Sequence, residues 1–186
     1  MPYKDVPAFV ATLRKKPETV GRLALLFLIY TATRSGEVRS ARWSHIDLKE
    51  KLWHRPAGLM KSRIAHTVTL NDGAIAILER AALLRSTDED GLIFPNGKGD
   101  KISDMTISKV MRDMNLPYVP HGFRSSFTDW AAEKMPSVPE AVVEAALAHT
   151  IPDKVQRAYR RTKFIELRYR LLQAWSRFVS QPLGTR

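Results

Sequence analysis

The stretch Thr19-Val-Gly-Arg-Leu-Ala-Leu-Leu-Phe-Leu-Ile-Tyr-Thr-Ala-Thr33 runs straight into Arg34-Ser-Gly-Glu37. Wound as a helix, residues 19–33 are apolar on nearly every side, and a helix without a polar face belongs inside a core. This segment therefore predicts the central spine of a mainly helical protein. Arg34 stands where that spine ends, and a cation there suits the negative end of the helix dipole.

On the N-terminal side, Val6, Phe9, Val10 and Leu13 recur at helical spacing, with Asp5 as a candidate cap and Pro7 tolerable in the first turn. Lys15-Lys16-Pro17 separates this helix from the spine. On the C-terminal side, Ser35 is a candidate cap for a short helix through Trp43. The periodicity then changes. Ile46/Leu48, Leu52/Trp53 and Val68/Leu70 fit three short strands, with a turn at Pro56-Ala57-Gly58. A small antiparallel sheet set into a helical chain is thus expected, giving a mainly α fold of the α+β class.

Beyond the sheet, Asn71 caps a helix carrying Ile75, Leu78 and Ala82. A polar loop over residues 86–101 is broken by Leu92-Ile93-Phe94. Ser103 opens a helix with Met105, Val110 and Met114, and the prolines of Leu116-Pro-Tyr-Val-Pro120 keep that segment extended. His121-Gly-Phe-Arg124 opens the next helix. Ser137-Val-Pro-Glu140 matches a capping box for a short helix to Ala148, and Asp153 can cap a helix bearing Tyr159. Ile165, Tyr169, Leu172, Trp175 and Val179 then mark a final helix. With no internal repeat and no boundary in composition, residues 1–186 read as one domain. Residues 164–186 form its C-terminal helix and tail, which docks in cis or in trans.

Charge and composition narrow the function. The 186 residues carry a net charge of +11, with a pI near 10.1. A surplus of this size points to a polyanionic partner, since neutralising each phosphate releases condensed counterions. Cysteine is absent, which excludes disulfides, thiolate metal sites and a cysteine nucleophile. The longest apolar run, Leu23–Tyr30, is far too short for a bilayer, and Met1-Pro-Tyr-Lys-Asp-Val lacks a signal-peptide pattern. These features fit a cytoplasmic, nucleoid-associated protein with no membrane partner.

Polar residues cluster at the ends of elements: Arg34, His121 with Arg124, His149, and Tyr159, with Lys61 near a hairpin turn. His121 and Arg124 are three apart at a helix opening, so both can face one anion. Each residue taken singly has a bland structural reading. Converging, they suit a phosphate target. Arginine forks grip non-bridging oxygens, a lysine protonates a leaving oxygen, and a tyrosine among positive charges becomes a phenolate nucleophile. No carboxylate pair at metal-ligand spacing accompanies them, nor a Gly-x-x-x-x-Gly-Lys loop. Strand breakage by such a set needs no metal and no cofactor.

The order of these residues resembles the catalytic domain of the tyrosine recombinase, or phage integrase, family, with wording closest to integrases of prophages and genomic islands. The segments that carry it are Thr33-Arg34-Ser-Gly-Glu37, Met60-Lys61-Ser-Arg63, His121-Gly-Phe-Arg124, Ala146-Leu-Ala-His149 and Ala158-Tyr159-Arg-Arg161. The resemblance implies that Arg34 and Arg124 bind the scissile phosphate and that Lys61 is the general acid. It implies that His121 assists proton transfer or binds the phosphate, and that His149 hydrogen-bonds a non-bridging oxygen. Tyr159 then forms a 3′-phosphotyrosyl intermediate, Glu37 supports Arg34, and Arg157, Arg160, Arg161 and Lys163 face the DNA backbone. Its partners are double-stranded attachment-site DNA, three further copies in a tetramer on DNA (a monomer when isolated), a host bending protein and an excision factor. Members usually carry core-binding and often arm-binding domains before this one, and these are expected to be absent here. Ala148 stands where many members have glycine. A type IB topoisomerase and a non-catalytic DNA-binding module are the rival readings.

Overall fold

The computed structural model describes residues 1–60, 63–84, 90–149 and 164–182. Helix α1 (Val6–Arg14) follows a single 3-10 turn over Tyr3–Asp5 and buries Val6, Phe9, Val10 and Leu13. Helix α2 (Val20–Thr31) is the spine its composition dictates: every residue from Leu23 to Thr31 is buried. The Thr19 side chain accepts from the Arg22 amide at 3.3 Å to close its first turn. Its far end unwinds at Ala32, which is left-handed with φ 51°. Around α2 pack α3 (Ser35–Arg39), α4 (Asp72–Ala82), α5 (Asp104–Arg112) and α8 (Ile165–Val179).

Strands β1 (Ile46–Asp47), β2 (Leu52–Arg55) and β3 (His66–Thr69) form one antiparallel sheet in the order β1-β2-β3. Trp53 pairs with Val68 and Arg55 with His66. Alternation turns Trp53 and Arg55 inward and leaves His54 exposed. Trp53 meets Phe27 of α2 at a centroid distance of 5.3 Å, and this contact seats the sheet on the spine.

Helices α6 (Gly122–Lys134) and α7 (Glu140–Ala146) complete the domain with α8. Helix α8 closes this chain's own core. Leu171, Leu172, Trp175 and Val179 are fully buried, and Trp175 stacks among Phe127, Trp130 and Phe178. The Trp175 indole donates to the Ile29 carbonyl of α2 at 2.8 Å. Asn71 ties three elements. Its Oδ1 caps α4 through the Ala74 amide at 2.9 Å, while its Nδ2 donates to Tyr30 O (2.7 Å) and Leu172 O (3.0 Å).

Several local expectations are corrected. Asp5 occupies the N-cap position of α1 but makes no side-chain cap. Arg34 is the N-cap of α3 in place of Ser35, because Glu37 reaches back to its amide. Helix α3 stops at Arg39 rather than Trp43, since Arg42 bridges to Leu92 and the Trp43 amide donates to Gly91 O. These tertiary pairings outcompete helical propagation. Helix α7 starts from Pro139, with no cap from Ser137, because Val138 is folded back in a turn onto Met135 O. Ser103 does sit at the N-cap of α5, but its hydroxyl meets that of Thr106 instead of a backbone amide. On the same helix Met105 is exposed, and Ile107 and Met111 carry the core face. Asp153 lies outside the described residues. Among those described, no helix is long and apolar enough to cross a membrane.

Candidate active site

The left-handed turn at Ala32 swings the chain off the spine so that Arg34 opens α3 in extended conformation. Glu37, one helical turn on, fixes it twice: its Oε2 accepts from the Arg34 amide at 2.8 Å and its Oε1 from Arg34 Nη1 at 2.9 Å. Arg55, projecting inward from β2, reaches the same Oε1 through Nη2 at 2.7 Å. The side chains of Arg55 and Glu37 are 3% and 9% exposed, against 34% for Arg34, so the carboxylate lies between one inward and one outward guanidinium. Burial pushes the Glu37 carboxyl up, but the charge of Arg55 and hydrogen bonds from both arginines more than offset it. The net result lies below the ordinary glutamate range.

Arg124, buried in the first turn of α6, is held from both sides. Nη1 donates to the Ala32 carbonyl at 2.6 Å, and Nη2 donates to Leu147 O at 2.7 Å and meets His149 Nε2 at 3.0 Å. Burial, then the positive charges of Arg34 and Arg55, push its pKa down to about 10, so it stays charged at neutral pH. The charges of Arg34 and Arg55 reaching Arg124 are the electrostatic signature of three guanidiniums sharing one corner of the molecule.

His149 is placed by the end of α7. Ala148 is left-handed with φ 53°, the Ala148 amide donates to Ala145 O, and the His149 amide donates to Glu144 O at 3.0 Å. This is a Schellman closure with alanine at the usual glycine position. It stacks His149 over Glu144, whose Oε2 lies 2.7 Å from Nδ1. A guanidinium only donates, so Nε2 accepts from Arg124 and the Nδ1 proton points at Glu144.

Behind this corner sits His66, paired with Arg55 across the sheet and 3.2 Å from Arg168 Nη2 of α8. Arg168 also donates to Thr67 O, and the His66 ring bonds the Ala146 backbone at the end of α7. Burial, then the charges of Arg168 and Arg55, push its pKa down to about 3.

Of the residues singled out in the sequence, the structure brings Arg34, Glu37, Arg124 and His149 together. His121 takes the N-cap position of α6, exposed, one turn before Arg124, and its ring makes no hydrogen bond among the described residues. Lys61, Arg157, Tyr159, Arg160, Arg161 and Lys163 lie outside the described residues. The sequence reading missed Arg55, Glu144, His66 and Arg168. Arg55 carried one signal, an arginine at an inward position of an alternating strand. Glu144, five residues before His149, carried none. Among the described residues no cluster of His, Asp or Glu could hold a metal.

The phage integrase family model matches residues 1–165. Prophage integrase IntA of Escherichia coli K12 is 34% identical over 180 residues, which cover 94% of this chain and 43% of IntA. The integrase from mycobacterium phage Brujita superposes with a TM-score of 0.69 at 18% identity, over 100% of this chain and 60% of that one. XerH site-specific recombinase, bound to its difH substrate in a pre-cleavage complex, gives a TM-score of 0.62 at 14% identity, over 85% of this chain and 51% of that one. The chain belongs to the phage integrase family, and its fold is that of the tyrosine recombinase catalytic domain. It spans about half the length of the curated relatives it matches.

Proposed function

We propose that this chain cleaves and exchanges DNA strands at specific sites, the chemistry by which a prophage or mobile element is integrated and excised. Arg34 and Arg124 bind the non-bridging oxygens of the scissile phosphate, joined by His149. Tyr159 attacks phosphorus, forming the 3′-phosphotyrosyl ester as the bond to the 5′-oxygen breaks. Lys61 gives that oxygen its proton, and His121 assists proton transfer at the tyrosine or contacts the phosphate. The 5′-hydroxyl of a partner strand then attacks the ester and releases Tyr159. The phosphoryl bond energy is conserved in the ester, so the sequence of steps needs no metal and no nucleotide cofactor.

The observation that carries this reading is the convergence of Arg34, Arg124 and His149 from α3, α6 and the end of α7, with Glu37 holding Arg34. A net charge of +11 supports double-stranded DNA as the partner. So does the capture of the fold neighbour XerH with its difH substrate. Exchange between two duplexes calls for four active sites, hence a homotetramer on DNA built from chains that are monomeric in isolation, aided by a bending protein and an excision factor. Arg157, Arg160, Arg161 and Lys163 grip the DNA backbone beside the nucleophile.

Nicked duplexes of randomised sequence, incubated with the chain in EDTA and recovered as denaturant-resistant adducts, test the chemistry. The adduct should form with the wild-type chain and vanish in Tyr159→Phe. An adduct that survives that substitution, or none with the wild type, overturns the assignment.

A further inference from the structure

The strongest unassigned feature is Arg55. It is nearly sealed from solvent, and its guanidinium lies 5.4 Å from the Trp53 ring centroid, against the Met60 sulfur and on Glu37 Oε1. A strand residue at this inward position needs only an apolar side chain to fill the space. A guanidinium there must give up its hydration, and the shared oxygen shows what compensates: Glu37 takes one hydrogen bond from Arg55 and two from Arg34.

We propose that Arg55 is a positioning residue for strand cleavage, holding Glu37 as a carboxylate so that Arg34 is aimed outward at the phosphate. The inference rests on the recombinase reading above. Without Arg55, Glu37 faces two alternatives. It can take a proton, releasing its hold on the Arg34 guanidinium. It can also stay charged and draw Arg34 inward as its sole strong partner, away from the phosphate. Arg55 satisfies the inner side of the carboxylate and closes off both.

The groups facing Glu37 are Arg34 on α3, Arg55 on β2, His66 on β3 and Arg124 on α6. His66 is neutral and so neither supports nor opposes the carboxylate. Arg124 is committed to Ala32 O, Leu147 O and His149. Arg55 is therefore the buried cation whose removal Glu37 feels most.

Two readouts on the 186-residue chain test this. The first is the Glu37 side-chain carboxyl titration by carbon-13 NMR, in the wild type, Arg55→Lys and Arg55→Met. The second is the acid limb of the rate of covalent adduct formation in the same three proteins. Arg55→Met should raise both midpoints by about 1–3 pH units, the reach of an adjacent opposite charge, and Arg55→Lys should restore most of the shift. A filler role predicts the opposite ranking, with methionine tolerated and the titration unmoved, and that result overturns the proposal. Should Arg55→Met fail to fold, the wild-type midpoint decides, and a value at or above that of free glutamate overturns it. A Glu37 titration that follows Arg55 without any adduct in the wild type supports the Arg55–Glu37 link and sinks the recombinase reading instead.

Discussion

His66 bonds Arg168 on one side and the Ala146 backbone on the other, and each partner dictates the proton it sees. Arg168 has only donors, so Nε2 must accept, and the ring is held neutral between elements that charging would push apart. Its pKa of about 3 in the fold against 6.5 unfolded means that the unfolded chain binds the extra proton between those values. Stability from His66 is therefore fully present above pH 6.5 and falls as the pH drops from 6.5 toward 3. From pH 7.5 to 5.0 this one group should cost about 2 kcal/mol. Urea unfolding at the two pH values should show that loss in the wild type and a smaller one in His66→Gln, whose amide can both accept from Arg168 and donate to the backbone. The cluster of Arg34, Arg124 and His149 was legible residue by residue because each ends or opens an element, where polar side chains signal function. Arg55 was legible only as an arginine at an inward strand position; the partner that accounts for its burial, Glu37, arrives on α3, a contact that no strand pattern contains.

At the level of elements, caps and connections separate what local sequence encodes from what packing imposes. Thr19 and Asn71 cap as their types suggest. Ser35 and Ser137 do not, since Glu37 and a turn at Val138 settle those ends differently. Asn71 shows why identity matters even where capping is satisfied. Aspartate is as good an N-cap as asparagine. Here, however, Nδ2 also donates to carbonyls of α2 and α8 in a fully buried position. Asn71→Asp keeps the cap and sets a carboxylate against two carbonyl oxygens. Chemical denaturation should register a loss of about 2–4 kcal/mol, and a near-neutral result would show that the inter-element bonds contribute little. The spine helix, by contrast, was legible from composition alone, because no polar face offered an alternative arrangement.

For the molecule as a whole, α8 is an integral part of the core. Its four fully buried side chains contribute about 6–12 kcal/mol of apolar burial, on the scale of a whole domain's stability. A chain ending at residue 163 should lose its near-UV circular dichroism signal and its cooperative thermal transition, and a retained sharp transition would contradict the packing described. The amphipathic stripe from Ile165 to Val179 was visible in the sequence, but the surface it covers was not. That surface is assembled from α1, α2, α4, α7 and β3, which are brought together only by the fold.

Trp175 and Ile29 are joined across 146 positions of chain. During synthesis at 5–20 residues per second, the spine waits roughly 7–30 s for the segment that seals it. Throughout that interval the part of the spine that α8 covers has no lid from its own chain, and the Ile29 carbonyl awaits its donor. A nascent chain therefore closes its core only after Trp175 has emerged. Until then its uncovered apolar surface favours association with another unfinished copy.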